Sequence, residues 1–239
     1  FDLCLKEARA KNIQLGIGLV RRFCPATALA QKIVQSGVFG RIEKVWANEG
    51  MRAKRTGQEA DFYMFDPHAA GGGVLMETGS HLVDQICTIL EIVDFQMDDC
   101  IQRKFKGLEM ETRFSGTVST DYQQKIRCLF EVSQLEDLCN GIFIEFSGFI
   151  LKCGLGFDSP LEILTRDGSP LSQFQLQPVT EKAAFALEWR EFLQQCRTQN
   201  PSKMSADTAR TSSAIIEACY QDAEEIGLAE SEHELAGRG

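Results

Sequence analysis

A run of six strand-like segments in the middle of the chain constrains the fold more than any other feature of this sequence. The segments are 99–106, 111–120, 124–133, 140–147, 149–156 and 161–165. They are rich in Ile, Phe, Val and Thr, and Gly, Asp and Ser separate them, which is typical of strands joined by turns. Because sequential strands with short turns favour antiparallel pairing, we predict one large, predominantly antiparallel sheet.

Helical patterns lie on both sides of this run. Apolar residues at helical spacing predict helices over 1–11, 26–36, 71–91, 181–198 and 205–226. Strands are predicted over 13–20, which is apolar, and over 41–50, which alternates in polarity, and a loop is predicted over 52–70. Glu224 and Glu225 are predicted to lie on a helix surface. This order predicts an α+β fold in which helices cover one face of a large open sheet.

The composition excludes several classes of protein. The formal net charge is −9 and the pI is about 5.0, which argues against nucleic acid as a partner because its phosphates select basic surfaces. No apolar run approaches the roughly 18 residues that a membrane span requires. The nine cysteines are an irregularly spaced set without a CxxC pair, so we predict a reduced, cytoplasmic protein whose cysteines are mostly buried apolar residues.

The strongest chemical signal is the segment GGGVLMETGSHLVDQI, which begins at Gly71. Glu77, His81 and Asp84 follow one another at spacings of four and three, so on one continuous helix they share a face. A carboxylate beside an imidazole fixes the tautomer of the ring and stabilises its protonated form, so this face can relay a proton. The alternative is a solvated stripe with one weak ion pair. Glycines are costly within helices, and their number here favours the close approach of a ligand or of another backbone.

Other motifs are absent or weak. Gly16 and Gly18 begin a GxG, but Arg21 stands where the third glycine of a dinucleotide fingerprint belongs, and no GxGxxG occurs. The spacing of His and Cys fits no zinc site, so we predict no metal. Arg21 and Arg22 follow a predicted strand end, where side chains often face a ligand crevice, and we predict that they contact a cofactor, with Arg22 also near the substrate. The alternative is a basic pair on the surface.

Four segments, in this order, resemble the glucose–fructose oxidoreductase, inositol dehydrogenase and rhizopine-catabolism family, abbreviated Gfo/Idh/MocA. They are LGIGLVRRFCPA, IVQSGVFGRIEKVWA, GGGVLMETGSHLVDQI and the closing helices that begin EWREFLQQC. The resemblance spans about residues 1–226 and implies the dihydrodipicolinate-reductase-like carboxyl-terminal domain of that family. The family's upstream GxGxxG and its E-K-P lysine have no counterpart in this sequence, so only the end of a Rossmann domain is expected here.

The resemblance implies a function and a division of the chain. Members move hydride between NAD(P) and a hydroxyl of a sugar, cyclitol or related polyol, and their open sheet face commonly forms the oligomer interface. The family's proton-transfer histidine falls on His81, and its assisting aspartate falls on Glu77, which is one methylene longer. Residues 1–22 are then the remnant of the Rossmann domain, 23–226 the substrate-binding and oligomerisation domain, and 227–239 a flexible tail.

Two functional hypotheses follow. In the first, the chain is part of an NAD(P)-dependent oxidoreductase, in which His81 takes the hydroxyl proton with assistance from Glu77. The substrate then lies against Asp84 and Arg22, and the choice of substrate and of NAD or NADP stays open because the deciding residues lie upstream. In the second, the chain is a non-catalytic sugar-binding or oligomerising module that lost its dinucleotide domain, which the Glu77 departure favours weakly. The chain begins at Phe1 within an amphipathic helix, which predicts a piece of a longer protein.

Overall fold

The structure, a computed structural model, describes residues 1–52 and 67–229. Its α-helices are α1 (Asp2–Ala10), α2 (Pro25–Ser36), α3 (Pro67–Ala70), α4 (Ser80–Leu90), α5 (Glu181–Thr198) and α6 (Arg210–Asp222). Its strands are β1 (Ile42–Gly50), β2 (Ile92–Phe105), β3 (Leu108–Thr120), β4 (Lys125–Ser133), β5 (Gly141–Phe146), β6 (Ile150–Cys153), β7 (Leu161–Leu164), β8 (Pro170–Gln173) and β9 (Glu224–Gly227). Short 3-10 helices occur at Val20–Phe23 and Ala206–Ala209, and a π-helix occurs at Leu75–Gly79.

The described strands form one nine-stranded sheet in the order β8-β7-β6-β5-β1-β4-β3-β2-β9. Two neighbouring pairs, β1 with β4 and β2 with β9, are parallel, and the other six pairs are antiparallel. The parallel neighbours come from distant parts of the chain, whereas the antiparallel ones mostly follow one another through short turns. The predicted α+β fold with a large, predominantly antiparallel sheet is therefore confirmed.

The core lies between the sheet and the helices α2, α4 and α6, which pack on one of its faces. Val45 and Ala47 of β1 point into this core and are fully buried. The residues that alternate with them, such as Lys44 and Trp46, are half-buried on the opposite, open face. A smaller apolar cluster that contains Phe143 packs against Trp46, so the open face also carries aromatic surface.

Two predicted elements are wrong. Residues 13–20 form no strand: the backbone makes a single antiparallel bridge between Gly16 and Ser205, because only one short segment of the described chain lies alongside it. The predicted helix 205–226 begins at Arg210, ends at Asp222 and is followed by β9, which pairs with β2. Glu224 and Glu225 are consequently residues of an edge strand rather than of a helix surface, since β2, which is distant in sequence, supplies hydrogen-bonding partners that helical periodicity cannot reveal.

Several other predictions concern residues that lie partly or wholly outside the described part of the chain. Most of the predicted loop 52–70 and of the predicted tail 227–239 lies outside the described residues, although Pro67–Ala70 forms α3 and Leu228 N donates a hydrogen bond to the Lys104 carbonyl at 2.8 Å. None of the described helices is long and apolar enough to cross a membrane. All nine cysteines are described; six are buried, and none of the nine is in a disulfide. A cytoplasmic location stays a prediction.

Candidate functional site

The pattern of the glycine-led segment predicts one continuous helix from residue 71 to 91. The structure does not have this continuous helix. A π-helix occupies Leu75–Gly79, and the regular helix α4 begins only at Ser80. A π-turn holds more residues than an α-turn, so it rotates the side chains before it relative to those after it. Glu77 precedes the end of the π-turn and the other two residues follow it, and their environments differ: Glu77 is exposed, His81 is half-buried and Asp84 is buried.

The start of this segment is held by a buried carboxylate from the sheet. Oε1 of Glu109 on β3 accepts hydrogen bonds from the backbone N–H of Gly73 at 2.6 Å and of Leu75 at 3.2 Å. It also accepts a hydrogen bond from the Tyr220 hydroxyl of α6 at 2.5 Å. Glu109 thus satisfies N–H groups that would otherwise lack partners at the start of a helix. This carboxylate joins β3, the glycine-led segment and α6.

The glycines of this segment serve packing. A Cβ on Gly73 would lie 2.1 Å from the Glu109 carbonyl oxygen, and one on Gly72 would lie 2.3 Å from the Tyr220 hydroxyl. Gly79 approaches Val132 of β4, where a Cβ would meet a side-chain carbon at 3.3 Å. The close approach expected from the sequence is therefore the approach of the sheet and of α6, and no ligand is required to explain these residues.

Replacement of Gly73 with Ala is expected to destabilise the protein by about 1–3 kcal/mol or more, because its Cβ collides with backbone that cannot move aside cheaply. Urea denaturation measures the loss in free energy of unfolding. Gly148→Ala is the matched control, since nothing lies within 4 Å of a Cβ at that position. Equal stability of the two variants would contradict the packing role of Gly73.

His81 lies in the first turn of α4 and contributes to the wall of a cavity of about 510 Å³. We call this space the His81 cavity; it is lined by Gly18, Val20, Arg21, Glu49, His81, Leu155, Gly156, Phe157, Glu181 and Phe185. Its volume is within the range of small-molecule sites. A larger depression of about 620 Å³ lies on the open sheet face, but it contains no histidine and none of the residues predicted to be functional.

The environment of His81 favours the neutral imidazole. Burial lowers the pKa of His81 below its usual 6.5, and the charge of Arg21 lowers it further, while Glu49 and Asp84 act in the opposite direction. The Nδ1 atom is buried and has no hydrogen-bond partner among the described residues. A neutral imidazole at the wall of a cavity is able to accept a proton at a ring nitrogen that the cavity reaches.

Arg21 and Glu49 form a two-pronged ion pair within the same cavity. Nη1 of Arg21 donates to Oε2 of Glu49 at 2.6 Å, and Nη2 donates to Oε1 at 2.7 Å. Their side chains are 19% and 16% exposed, so the pair is partly shielded from water but accessible from the cavity. The last turn before α2 and the end of β1 are joined in this way, and the two charges largely cancel.

Arg22 and Asp84 are placed differently from what the sequence predicts. Nε of Arg22 donates to Oδ2 of Asp84 at 2.7 Å, a second contact joins Nη2 to Oδ1, and the two side chains are only 3% and 2% exposed. Nη1 of Arg22 also donates to the Lys203 carbonyl, and Ser212 donates to Asp84. The prediction that Arg22 and Asp84 contact substrate is therefore not supported, because their polar atoms are already paired within the core.

Glu77 is separated from His81 in its contacts. Its Oε2 atom accepts a weak hydrogen bond at 3.4 Å from the side-chain amide of Gln134, which follows β4. Glu77 is exposed and does not line the His81 cavity. The structure therefore does not bring together the carboxylate and the imidazole that the motif pairs by spacing.

The sequence interpretation missed residues that the structure brings to His81. Glu49 lies near the end of a predicted strand, the kind of position at which Arg21 and Arg22 are predicted to face a ligand. The sequence analysis nevertheless does not predict a role for Glu49. Glu181 and the aromatic residues Phe157 and Phe185 carry no local signal, because they reach the cavity from the loop after β6 and from α5.

The described residues do not form a cradle for the phosphates of a dinucleotide. The backbone N–H groups at the glycine-led segment are bonded to Glu109, and the guanidinium of Arg22 is buried against Asp84. Arg21 is held by Glu49. The prediction that Arg21 and Arg22 bind the cofactor therefore finds no free anion-binding group at either arginine, and these described residues do not fit the cofactor's phosphates.

Three carboxylates lie close together at the open face. Oxygens of Glu111, Glu131 and Glu136 lie within 4.8 Å of one another. The guanidinium of Arg113 is within ion-pair distance of all three, at 3.4, 2.7 and 2.8 Å. An arginine thus balances this acidic cluster.

The described residues form a helix-covered open mixed sheet, with a glycine-led segment that carries a histidine to a cavity. Residues 27–148, just over half of the chain, match the GFO/IDH/MocA C-terminal domain. The chain belongs to the GFO/IDH/MocA family, as its sequence resemblance predicts.

Solved structures with the same fold are sugar-active or nucleotide-linked oxidoreductases. The aldose–aldose oxidoreductase from Caulobacter crescentus, solved with glycerol, has a TM-score of 0.74 and 15% identity over 91% of this chain and 64% of that chain. Levoglucosan dehydrogenase, in complex with NADH and levoglucosan, has a TM-score of 0.70 and 16% identity over 89% and 65%. A 3-ketoreductase from Actinomadura kijaniata, in complex with NADP and TDP-benzene, has a TM-score of 0.73 and 16% identity over 95% and 68%.

These identities are low enough that the likeness shows the fold alone. The chain spans about two thirds of the length of these solved proteins, with 64% and 65% for the first two. A comparison with curated proteins gives no match.

Proposed function

We propose that this chain is the substrate-side part of an NAD(P)-dependent oxidoreductase that acts on a hydroxyl of a sugar, cyclitol or related polyol. The observation that carries the proposal is the position of His81, a half-buried imidazole at the wall of a cavity. Membership of the GFO/IDH/MocA family supports the class of reaction.

The chemistry of His81 follows from its environment. Because burial and Arg21 lower the pKa of the ring, His81 is neutral near pH 7 and accepts the proton of a substrate hydroxyl as that hydroxyl is oxidised. In the reverse direction the protonated ring returns the proton to a carbonyl oxygen. Leu155, Phe157 and Phe185 line the cavity and offer apolar surface to the C–H faces of a sugar ring.

We propose that NAD or NADP is the cofactor of the whole protein and that residues outside this chain supply most of its binding site. The described residues lack a phosphate cradle, and relatives that are longer were solved with NADH or NADP. Residues 1–22 are proposed to be the end of the Rossmann domain. In support, Leu15 and Ile17 form backbone hydrogen bonds with Ala206 and Met204, as an extended segment does when it pairs with a neighbour.

Homo-oligomer formation through the open sheet face belongs to the same proposal. Trp46 stacks on Phe143 with ring centroids 5.2 Å apart, and Ile150 and Leu164 pack beside them on this face. Charged residues such as Arg166 surround the aromatic patch. A sheet face that combines an apolar cluster with charged surroundings is typical of an interface.

A second candidate function is a non-catalytic sugar-binding or oligomerising module. The observation that favours it is the separation of Glu77, which replaces the family's assisting aspartate and bonds to Gln134 instead of approaching His81. The two candidates differ in turnover, since the module would bind a sugar in the His81 cavity without oxidising it.

An activity assay separates the two. We expect the longest natural form of the protein to reduce NAD or NADP in the presence of at least one member of a sugar and cyclitol panel. Calorimetric titration of the 239-residue chain with either dinucleotide should show no tight site. A micromolar site in this chain would overturn the conclusion that the cradle lies elsewhere, and a complete lack of turnover in the longer protein would favour the module.

A further inference from the structure

A histidine that transfers a proton works best beside a carboxylate, which stabilises the protonated ring. Four carboxylates lie near His81 by sequence or by space, namely Glu77, Asp84, Glu49 and Glu181. Glu77 is exposed and hydrogen-bonded to Gln134. It does not line the His81 cavity, so it is a poor partner for the ring.

Asp84 is excluded on different grounds. Both of its oxygens are bound to Arg22, and one of them also accepts a hydrogen bond from Ser212. The pair is almost completely buried, so the charge of Asp84 is compensated at short range. It has no remaining capacity to follow the protonation of His81 without breaking a buried ion pair, which is costly.

Of the two carboxylates that line the cavity with the ring, Glu181 is exposed, and the one that acts on the pKa of His81 is Glu49. It lies near the end of β1, lines the cavity with His81, and is held in one orientation by two hydrogen bonds from Arg21. A carboxylate held by a guanidinium keeps its position when the charge of a neighbour changes. Glu49 therefore supplies the carboxylate near His81 that the spacing of Glu77 and His81 predicts.

We propose that Glu49, held by Arg21, is the carboxylate that positions and stabilises the protonated form of His81, in place of Glu77. This inference rests on the proposed role of His81 in proton transfer. Glu49 is a positioning residue, since it acts through the imidazole, and Arg21 offsets its charge so that the resting ring stays neutral.

The charged groups around His81 determine how each substitution changes the pKa of the ring. Arg21 disfavours the protonated ring, while Glu49 and Asp84 favour it, and these effects act with burial on the pKa of His81. Glu181 also lines the cavity, from α5. Arg22 lies behind Asp84 and is neutralised by it. Loss of Glu49 leaves Arg21 uncompensated, so both changes disfavour the protonated ring.

The test is an NMR titration of the 239-residue chain, which has only three histidines, so that His81→Gln identifies the relevant resonance. We expect Glu49→Gln to lower the pKa of His81 and Glu77→Gln, the matched control, to change it less. Arg21→Gln is expected to raise the pKa, which tests the same coupling if Glu49→Gln fails to fold. A Glu77→Gln shift equal to or larger than that of Glu49→Gln, or a fall in the pKa with Arg21→Gln, would overturn the proposal.

The titration needs no substrate, so its failure is distinct from failure of the proposed function. If Glu49→Gln leaves the pKa of His81 unchanged while His81→Ala abolishes turnover of the longer protein, only the role of Glu49 is wrong. If His81→Ala retains full turnover, the proposed function is wrong whatever the titration shows. In the active protein, Glu49→Gln should also move the acidic limb of the kcat/KM profile to lower pH, a shift that a purely structural residue would not produce.

Discussion

His81→Ala is expected to lower kcat/KM of the longest natural form of the protein by about 10²–10⁴-fold, the range that a positioned general acid or base contributes. The loss should fall on kcat more than on KM, because the imidazole acts on the proton that moves during the reaction and contributes less to ground-state binding. Steady-state reduction of NAD or NADP with the best substrate of the panel measures it.

His68→Ala is the matched control for this experiment. His68 lies on the short helix α3 and is exposed, and it does not line the His81 cavity. Its replacement is expected to leave kcat/KM within a factor of a few of the unchanged protein. Turnover of His81→Ala equal to that of His68→Ala would refute the assignment of proton transfer to His81.

Arg22→Ala is expected to lower the free energy of unfolding by about 3–5 kcal/mol, since it leaves the Asp84 carboxylate buried without its partner. The guanidinium also bonds to the Lys203 carbonyl and the Thr208 hydroxyl, and these acceptors lose their donors as well. Urea denaturation followed by circular dichroism measures the change. An effect of this size is a large share of the stability of a single domain.

Two further variants test whether this loss of stability comes from the buried ion pair of Arg22. Arg21→Ala, at the neighbouring position, is expected to cost about 1 kcal/mol or less because its ion pair with Glu49 is more exposed. Combined replacement by Arg22→Met and Asp84→Leu is expected to recover much of the loss, since a buried ion pair often gives way to apolar residues at little cost. Equal stability of Arg21→Ala and Arg22→Ala would contradict the buried role of Arg22.

The two adjacent arginines show where sequence interpretation ends. Both follow an apolar stretch, and no local pattern distinguishes them, so both were predicted to face a ligand. The 3-10 helix Val20–Phe23 directs one side chain into the core and leaves the other at the cavity. Their partners lie 62 and 28 residues further along the chain, at Asp84 and Glu49. Helical periodicity compares residues within one or two turns, so it cannot predict contacts between residues this far apart in the sequence.

The central strands of the sheet could be predicted because most of them follow one another closely along the chain. Alternating β-branched and aromatic residues, bounded by turn residues, indicated β3 to β7 within a few residues of their ends. The terminal strand β9 was missed because its partner β2 begins more than 100 residues earlier, and its four residues continue an apparently helical pattern. Pairing over such a distance depends on the finished sheet.

The sequence by itself determined the fold class, the family and the helix that carries His81, because strand alternation, turn residues and a glycine-led motif are local and act wherever the segment folds. Only the tertiary structure decided which groups surround that histidine. In the folded chain a π-turn contains Glu77, Asp84 is buried against Arg22, and Glu49 of β1 lies in the wall of the His81 cavity. Charges interact through space, so the partner of an imidazole is set by the packing of distant elements and not by spacing along one helix.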